Sequence, residues 1–209
     1  MKVLKTDDGS STVISDGFGG QLYHSSRGAV GEAMHVYIRF LREGARVLEV
    51  GFGSGLNALL SLKSGLSLEY TTVELFPVGE EVVEALSFVD NSLRAMHKCE
   101  WGKWVEISQT FRLRKLHKDI TDKETLPAEN FDVVFFDAFA PDVVPEQWSK
   151  EVFERIFERL SVGGTLVTYS AKGDVKRALR AAGFFVKRDQ GALGKHNMVV
   201  ATKLANEEF

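Results

Sequence analysis

Short apolar runs alternate with stretches of helical spacing along most of this sequence. Residues 46–50 form a short apolar run, residues 68–74 are predicted as a second strand, and residues 131–137 form a nearly uninterrupted apolar run, as expected for a central strand covered on both faces. Between these runs, apolar residues recur at three- and four-residue spacing and predict helices over 54–63, 78–88, 146–160 and 174–182. The alternation predicts an α/β fold with a doubly wound, mostly parallel sheet.

Both ends of the chain depart from this alternation. Residues 2–6 and 11–14 are β-prone and flank a polar turn, which predicts a hairpin, and residues 28–41 carry a helical apolar stripe. Further strands are predicted over 111–116 and 165–170, a terminal antiparallel pair over 184–187 and 197–202, and a less regular stretch over 89–109. We therefore expect one domain over 1–209, with a hairpin and helix extension over 1–44 and a cofactor-binding core over 45–209.

Composition narrows the class of protein. The chain has 209 residues, of which 44% are hydrophobic, and this is enough for one substantial core. A net charge of −3 gives no overall field that attracts a polyanion, so any contact with nucleic acid depends on a local basic patch. A single cysteine, Cys99, excludes an internal disulfide and a thiolate metal cluster, and residues 1–9 lack the apolar core of a signal peptide. We expect a cytoplasmic protein with no metal and no membrane association.

A glycine-rich turn between a strand and a helix indicates a ligand site. Gly51, Gly53 and Gly55 follow the run 46–50 directly. Glycines let a ligand approach the backbone closely, and the helix that follows offers free N–H groups to a polar or anionic ligand. Glu74 ends the next strand, where this fold places a carboxylate against ribose hydroxyls. A nucleotide-like cofactor is predicted, and the alternatives are a plain tight connection for the turn and a helix-start acid for Glu74.

A second candidate lies at the end of the most apolar strand. Asp137 follows this run at the sheet edge that faces the ligand cleft in open α/β sheets, so solubility alone explains it poorly. Phe139 and Trp148 lie behind it in sequence and could sandwich a planar base, although aromatic residues near strand ends also build cores. Asp137 is the candidate catalytic residue.

Several motifs resemble one family. The G-x-G-x-G form with Glu49 before it resembles motif I of class I, Rossmann-like S-adenosylmethionine (AdoMet) methyltransferases, whereas dinucleotide dehydrogenases have a wider glycine spacing. Gly-Phe-Gly-Ser-Gly-Leu-Asn over 51–57 and Asp-Ala-Phe-Ala-Pro over 137–141 resemble the MnmC methyltransferase domain and its stand-alone relative MnmD. The similarity covers nearly the whole chain and includes residues 23–29, 32–37, 73–77, 145–148, 163–170 and 194–198.

The resemblance implies an AdoMet-dependent N-methyltransferase that converts 5-aminomethyl-(2-thio)uridine at the wobble position of tRNA to 5-methylaminomethyl-(2-thio)uridine. It implies that Asp137 orients the amine and can accept its proton. The bifunctional relatives carry an FAD-dependent oxidase domain that this sequence does not contain, so upstream enzymes are expected to supply the aminomethyl group. The expected partners are therefore AdoMet, tRNA and those enzymes.

The family's motifs also imply site residues, among them an adenine contact after the third strand, where a solvated loop acid is the alternative for Asp119. The cofactor residues implied are Glu49, Gly51, Phe52, Gly53, Gly55, Asn57, Glu74, Leu75, Asp119 and Ile120. The substrate residues implied are Tyr23, Glu32, Phe139, Pro141, Trp148, Lys195 and His196. The chain departs from the family at His196, where arginine is usual, and at Ala33 and Met34, where small polar and basic residues are usual.

Local charge reconciles an acidic chain with an RNA substrate. Against Asp174 and Asp189, the segment 171–203 carries eight basic residues, namely Lys172, Lys176, Arg177, Arg180, Lys187, Arg188, Lys195 and Lys203. A second basic run covers 112–118. Each can follow a phosphate backbone or form an ordinary solvated face.

Two other functions are compatible with these motifs. An aminopropyltransferase of the spermidine-synthase type has the same fold and an aspartate after the fourth strand, but it is expected to carry further acids for its cationic substrate. A non-catalytic RNA-binding scaffold with a methyltransferase fold would not need the intact glycine turn, Glu74 or Asp137. Methyl transfer is the preferred prediction.

Overall fold

The computed structural model of the protein describes residues 1–192 and 197–205. Its strands are β1 (Lys2–Lys5), β2 (Ser11–Ile14), β3 (Arg46–Val50), β4 (Leu68–Glu74), β5 (Trp104–Ser108), β6 (Phe111–His117), β7 (Phe131–Phe136), β8 (Leu160–Thr168), β9 (Phe185–Asp189) and β10 (Met198–Thr202). Its α-helices are α1 (Ala29–Val36), α2 (Leu56–Lys63), α3 (Glu80–Glu84), α4 (Asn91–Lys98), α5 (Lys150–Arg159) and α6 (Gly173–Ala181). Short 3₁₀ turns cover Ile38–Phe40 and Pro145–Trp148.

Eight strands form one sheet with the order β5-β6-β4-β3-β7-β8-β10-β9, and β1 and β2 form a separate hairpin. The five strands from β6 to β8 in this order are parallel, while β5 and the β10–β9 pair are antiparallel additions at the two edges. The chain order reverses between β3 and β7, and ligands of open α/β sheets bind at such a switch point. The predicted doubly wound sheet with a terminal antiparallel pair and an N-terminal hairpin is confirmed.

Two apolar layers cover the sheet. Leu48, Val50, Val134 and Phe136 face α5 and α6, which contribute buried Phe153 among others. On the opposite face, buried side chains of the sheet pack against α2, α4 and the end of α1. Because successive strand residues point to opposite faces, the apolar run in β7 supplies both layers at once. Among the described residues, none of the helices has the length and apolar character needed to span a membrane.

The segment 89–109 is not irregular, because it contains α4 and β5. In α4 only Leu93 and Met96 are buried, so the helical stripe is too narrow to stand out in the sequence. The side chain of Asp90 begins this helix by accepting a hydrogen bond from the backbone N–H of Leu93 at 2.9 Å. The strand β5 is partly buried, lies at the sheet edge and has an irregular register between Glu106 and Ser108, which removes a clear alternation.

Several predicted boundaries are also wrong. The helix predicted over 28–41 ends at Val36, and a 3₁₀ turn follows. The helix predicted over 78–88 is the short α3, and that predicted over 146–160 begins only at Lys150, where the Ser149 hydroxyl accepts a hydrogen bond from the N–H of Val152 at 3.4 Å. The strand predicted over 165–170 starts earlier, at Leu160, because β8 runs through the two glycines with a register shift against β7.

The basic run over 112–118 serves mainly to stabilise the fold. Lys115 is fully buried, and its Nζ donates to the carbonyl oxygen of His97 at 2.6 Å and lies 4.4 Å from the centre of the Trp101 ring. Arg112 pairs with Glu69, and Arg114 pairs with Glu129. Lys115 is therefore structural, whereas Arg112, His117 and Lys118 are exposed, so the run forms the predicted solvated face only in part.

The core between α5 and the sheet provides a stability test. Phe153 is fully buried, and its ring centre lies 5.1 Å from that of Phe136. We expect Phe153→Ala to lower the free energy of unfolding by about 3–5 kcal/mol, because it removes apolar burial and leaves a cavity. Phe185→Ala is the control, since that side chain is 42% exposed and its loss should cost about 1 kcal/mol or less. Urea denaturation of both variants measures the difference, and equal losses would contradict this account of the core.

Candidate functional site

A cavity of about 470 Å³ opens at the carboxyl edge of the parallel strands. Its floor consists of the segments that follow β3, β4, β6 and β7, together with Tyr169 after β8. Residues 20–26 and Phe18, from the segment between β2 and α1, form the opposite wall. The cavity therefore lies at the switch point of the sheet, where the sequence motifs converge.

The glycine turn requires glycine for steric reasons. Gly51 has φ +92°, and a Cβ on it would lie 2.6 Å from the carbonyl oxygen of Asp137. Gly53 has φ +51°, and a Cβ there would lie 2.8 Å from the Tyr23 ring. Side chains other than hydrogen are strained at such φ values, and these contacts exclude a methyl group as well. The turn thus packs tightly against both the end of β7 and the opposite wall.

Glu74 connects the end of β4 to this turn. One carboxylate oxygen accepts a hydrogen bond from the backbone N–H of Gly53 at 2.8 Å, and the other accepts from the N–H of Phe76 at 2.7 Å. Burial and the nearby Glu74 raise the pKa of Tyr23 to about 12, so its phenol is neutral at physiological pH. Glu74 consequently presents a fixed negative charge in the cavity wall.

Asp137 is oriented by two side chains from separate elements. The Tyr37 hydroxyl donates to Oδ1 at 2.7 Å, and the Asn57 amide nitrogen donates to Oδ2 at 2.8 Å. Burial, and secondly the charge of Asp137, raises the pKa of Tyr37 well above its usual value, so the phenol remains a hydrogen-bond donor. Asn57, predicted from the family motif to bind cofactor, is 2% exposed and holds Asp137 instead of lining the cavity.

Further polar groups lie in the same cavity. Glu32 accepts a hydrogen bond from the N–H of Ser25 at 2.9 Å, and the Tyr169 hydroxyl donates to the carbonyl oxygen of Ala138 at 2.9 Å. The His24 Nε2 lies 2.8 Å from the Ser54 hydroxyl, and burial lowers the pKa of His24 to about 4. The imidazole is therefore neutral at physiological pH, and negative charge in this cavity resides on carboxylates.

Tyr37, Tyr169, His24 and Phe18 were not among the residues predicted for the site. Tyr169 directly follows β8, so the rule that placed Asp137 at the sheet edge could have found it. The other three come from segments outside the sheet, where no strand end points to a cleft. Phe18 and His24 precede α1 and Tyr37 follows it, so their places in the site depend on how the extension over 1–44 packs against the sheet.

Aromatic rings line the mouth of the cavity, but the predicted pair is wrong. The centre of the Phe139 ring lies 4.4 Å from that of Phe18 and 5.1 Å from that of Tyr23. Trp148 is only 5% exposed, packs 4.8 Å from the Phe136 ring, and donates from Nε1 to the carbonyl oxygen of Phe139 at 2.8 Å. Trp148 thus supports Phe139 from the core, and Phe18 packs directly against Phe139, so these two rings do not sandwich a base.

The predicted cofactor residues that line the cavity are Gly51, Phe52, Gly53, Glu74, Leu75 and Ile120. Glu49, Gly55, Asn57 and Asp119 lie outside this lining. Glu49 is completely buried, and Asp119 accepts a hydrogen bond from the N–H of Thr121 at 2.8 Å. Of the predicted substrate residues, Tyr23, Glu32 and Phe139 line the cavity and Pro141 and Trp148 do not. Lys195 and His196 lie outside the described residues.

The basic residues of α6 and β9 do not form one continuous surface. Lys176 is 8% exposed, and Lys172 and Arg177 pair with Asp142 and Asp174. Arg188 is exposed. It lies at the carboxyl edge of the sheet, because it pairs with Val199, which in turn pairs with the last residue of β8. Arg180 is exposed in the last turn of α6, which returns toward the opposite edge. The segment therefore does not present these basic residues as one phosphate-binding face.

The parallel sheet with a glycine turn, Glu74 and Asp137 at its switch point defines a class I methyltransferase fold. Residues 85–204 match a family model described as S-adenosyl-L-methionine-dependent methyltransferase, and the chain belongs to that family. AdoMet is the cofactor of this family, as predicted.

Individual relatives confirm the resemblance to the MnmC methyltransferase domain. The chain is 29% identical over 212 residues to the "tRNA 5-methylaminomethyl-2-thiouridine biosynthesis bifunctional protein MnmC" of Cupriavidus metallidurans, covering 86% of this chain and 31% of the relative. It is 30% identical over 218 residues to the protein of the same name from Aromatoleum aromaticum, covering 92% and 34%. Among solved structures, MNMC2 from Aquifex aeolicus superposes with a TM-score of 0.81 at 27% identity, covering 98% of this chain and 70% of that one. The chain spans about a third of the length of these curated relatives.

The cavity residues fit AdoMet. Gly51 and Gly53 line the cavity without side chains, and Glu74 places a carboxylate in the same wall for the ribose hydroxyls. Glu32 and Asp137 add two carboxyl groups, and such an environment favours a sulfonium cation. Within residues 1–192 and 197–205, no group of three or more His, Cys, Asp or Glu side chains could hold a metal ion.

The glycine turn can be tested with a matched pair of variants. Gly51 and Gly65 both have positive φ, but a Cβ on Gly65 would meet nothing within 4 Å. Both Gly→Ala changes should carry a backbone cost of about 1–2 kcal/mol, while only Gly51→Ala adds the collision with Asp137. We expect calorimetry to show AdoMet affinity reduced by at least about tenfold in Gly51→Ala and nearly unchanged in Gly65→Ala. Wild-type affinity in Gly51→Ala would contradict the assignment of this turn to the cofactor.

Proposed function

We propose that this protein transfers the methyl group of AdoMet to the primary amine of 5-aminomethyl-(2-thio)uridine at the wobble position of tRNA. The observation that carries the proposal is the juxtaposition of a doubly held carboxylate, Asp137, with the family's cofactor turn in one cavity. The printed names of the curated relatives supply the substrate class. The chain spans only part of those relatives, so the methyl-transfer activity, the tRNA substrate and the cytoplasmic location of this protein are all parts of the proposal.

Methyl transfer to an amine requires a neutral nitrogen that is held in line with the carbon–sulfur bond. AdoMet supplies an electrophilic methyl group on a sulfonium. Tyr37 and Asn57 each donate to one oxygen of Asp137, the carboxylate lines the cavity, and a carboxylate oxygen can accept more than one hydrogen bond, including one from a substrate amine. Asp137 therefore orients the nucleophile and can accept its proton, and positioning supplies a large part of the rate enhancement.

The remaining cavity residues divide between the two ligands. We assign the ribose to Glu74, the methionine portion to the turn at Gly51 and Gly53, and the adenine to the segment at Ile120. Tyr23, Glu32 and Phe139 lie on the substrate side. The Phe18 and Phe139 rings at the mouth provide flat apolar surfaces on which a uracil can stack.

The family assignment favours methyl transfer over aminopropyl transfer, and the intact carboxylates and glycines disfavour a scaffold role. Calorimetry with AdoMet and with its decarboxylated form discriminates among the three. We expect tight binding of AdoMet, whereas preference for the decarboxylated form would favour the aminopropyltransferase, and binding of neither would favour the scaffold. Upstream enzymes that generate the aminomethyl group are the proposed functional partners.

Asp137→Asn tests the catalytic residue. The change keeps size and hydrogen-bonding capacity but removes the proton acceptor, so AdoMet should still bind while methyl transfer falls by about 10²-fold. Single-turnover transfer of labelled methyl to tRNA with 5-aminomethyluridine is measured from pH 6 to pH 9.5. Partial recovery of the variant at high pH, where more amine is neutral, indicates that Asp137 accepts the proton. A constant deficit indicates that it orients the amine.

Asp132→Asn is the matched control, because Asp132 lies at the other end of β7 and accepts a hydrogen bond from the N–H of Arg46 at 2.9 Å. This variant should transfer methyl groups at the wild-type rate once its stability is taken into account. If Asp137→Asn also has the wild-type rate at every pH, Asp137 has neither role.

Contacts with tRNA phosphates predict a strong dependence on salt. We expect Arg188→Glu, at the carboxyl edge of the sheet, to weaken binding of all tRNAs and to reduce the slope of log K against log salt by about 1. Arg180→Glu at the far end of α6 carries the same charge change and should have a smaller effect. Filter binding of several tRNAs at stepped salt concentrations measures both. Equal effects, or binding independent of salt, would contradict this placement of the RNA.

A further inference from the structure

A buried group of polar side chains lies beneath Asp137, on the sheet face that packs against α2. Glu49 on β3 is completely buried, and it pairs in register with Thr72 on β4. The hydroxyls of Thr72 and Tyr70 and the side-chain amide of Asn57 face the Glu49 carboxyl group. Neither oxygen of Glu49 has a partner with hydrogen-bond geometry among the described residues. Glu49 thus differs sharply from the well-partnered Asp137.

Asn57 connects the two carboxyl groups. Its amide nitrogen donates to Asp137, its side chain also faces Glu49, and it is 2% exposed. The Glu49 carboxyl group is completely buried, lies near the Asp137 carboxylate and has no partner with hydrogen-bond geometry among the described residues, and an ion in such surroundings is strongly disfavoured. One of the pair must therefore carry a proton. Asp137 faces the cavity and receives two donated hydrogen bonds, so the neutral member is Glu49.

We propose that Glu49 is a positioning residue for methyl transfer: as a neutral carboxylic acid it holds Asn57 against Asp137 and leaves Asp137 as the negative member of the pair. The proposal rests on the role of Asp137 in the proposed function. It replaces the implied contact between Glu49 and the cofactor, since Glu49 does not line the cavity. An ionised Glu49 would place a second buried negative charge beside Asp137.

Several ionisable groups surround Glu49 and Asp137. Asp137 and Tyr70 face Glu49, and Tyr37, Tyr169 and Glu32 surround the cavity side of Asp137. Burial, and secondly the charge of Asp137, raises the pKa of Glu49 well above its usual value. Burial likewise raises the pKa of Tyr70 and of Tyr37, so both phenols stay neutral. Between acid and neutral pH, the folded chain therefore keeps a proton on Glu49 that the unfolded chain loses.

The decisive experiment compares the unfolding of the wild type and Glu49→Gln from pH 5 to pH 8.5. The unfolded chain loses the Glu49 proton above pH 4.5, whereas the folded chain keeps it to a higher pH, so the wild type loses stability relative to the variant as pH rises. One retained proton corresponds to a change of up to about tenfold per pH unit in the ratio of the two unfolding constants. A ratio that stays constant, or moves in the opposite direction, would overturn the proposal.

Glu69→Gln provides the control for this measurement. Glu69 lies on β4, and its side chain is 43% exposed in an ion pair with Arg112. The ratio of unfolding constants for this variant should be nearly independent of pH over the same range. Infrared spectroscopy adds a direct readout, because the carbonyl band of a protonated carboxylic acid should be present in the wild type at neutral pH and absent in Glu49→Gln.

Activity separates positioning from cofactor binding. Glu49→Gln keeps a neutral polar group and should retain AdoMet affinity and a kcat within about threefold of wild type, whereas Glu49→Leu should lower kcat by about tenfold or more with AdoMet affinity unchanged. Lost AdoMet binding in Glu49→Gln, or a wild-type rate in Glu49→Leu, would overturn the positioning role. The unfolding and infrared data need no tRNA, so they decide the protonation of Glu49 even where wild-type protein fails to methylate tRNA and the proposed function itself is wrong.

Discussion

The close approach of β3 to β7 at their carboxyl ends determines the arrangement of the site. The backbone N–H of Asp137 donates to the carbonyl oxygen of Val50 at 2.9 Å, and the N–H of Gly51 donates to that of Val73 at 2.9 Å. These bonds continue the parallel ladder one residue past each strand, which is possible because Gly51 has no Cβ to meet the Asp137 carbonyl. Three strand ends are thereby fixed in register, so the glycine turn, Glu74 and Asp137 face a single cavity.

The two faces of the large sheet have different roles. The face toward α5 and α6 is apolar and supplies much of the burial that stabilises the fold. The face toward α2 contains polar side chains near its carboxyl end, and these determine which groups at the site are charged. Burial keeps Tyr23, Tyr37 and His24 neutral, so the carboxylates face the cavity with no cationic histidine beside them. The ionisable residues that line this cavity therefore include three carboxylic acids, Glu32, Glu74 and Asp137, and one lysine, Lys118.

The sequence predicts best where one physical rule governs a residue. The bounds of β3 and β4 match the predicted runs, and Glu74 and Asp137 reach the cavity because strand ends of a parallel sheet meet at one edge. Tyr37 and Asn57 could not be assigned to Asp137 in this way, since their contacts depend on how helices dock on the sheet. The charge pattern of the sequence did not predict which basic side chains are exposed, for the same reason: the side chains of Lys115 and Lys176 are largely buried. Trp148 belongs to the core because the segment after β7 turns inward.

The wall formed by residues 20–26 and Phe18 has a consequence for how the chain can be divided. The extension over 1–44 contributes Tyr23 and Glu32 to the cavity and Tyr37 to the orientation of Asp137. Its backbone is also anchored to the core, since the N–H of Ser87 donates to the Ser11 hydroxyl at 2.8 Å. A fragment that begins at residue 45 would retain every strand of the large sheet and the glycine turn, yet it would lack the wall that closes the cavity opposite the sheet. The complete cavity therefore requires more of the chain than the large sheet and its helices.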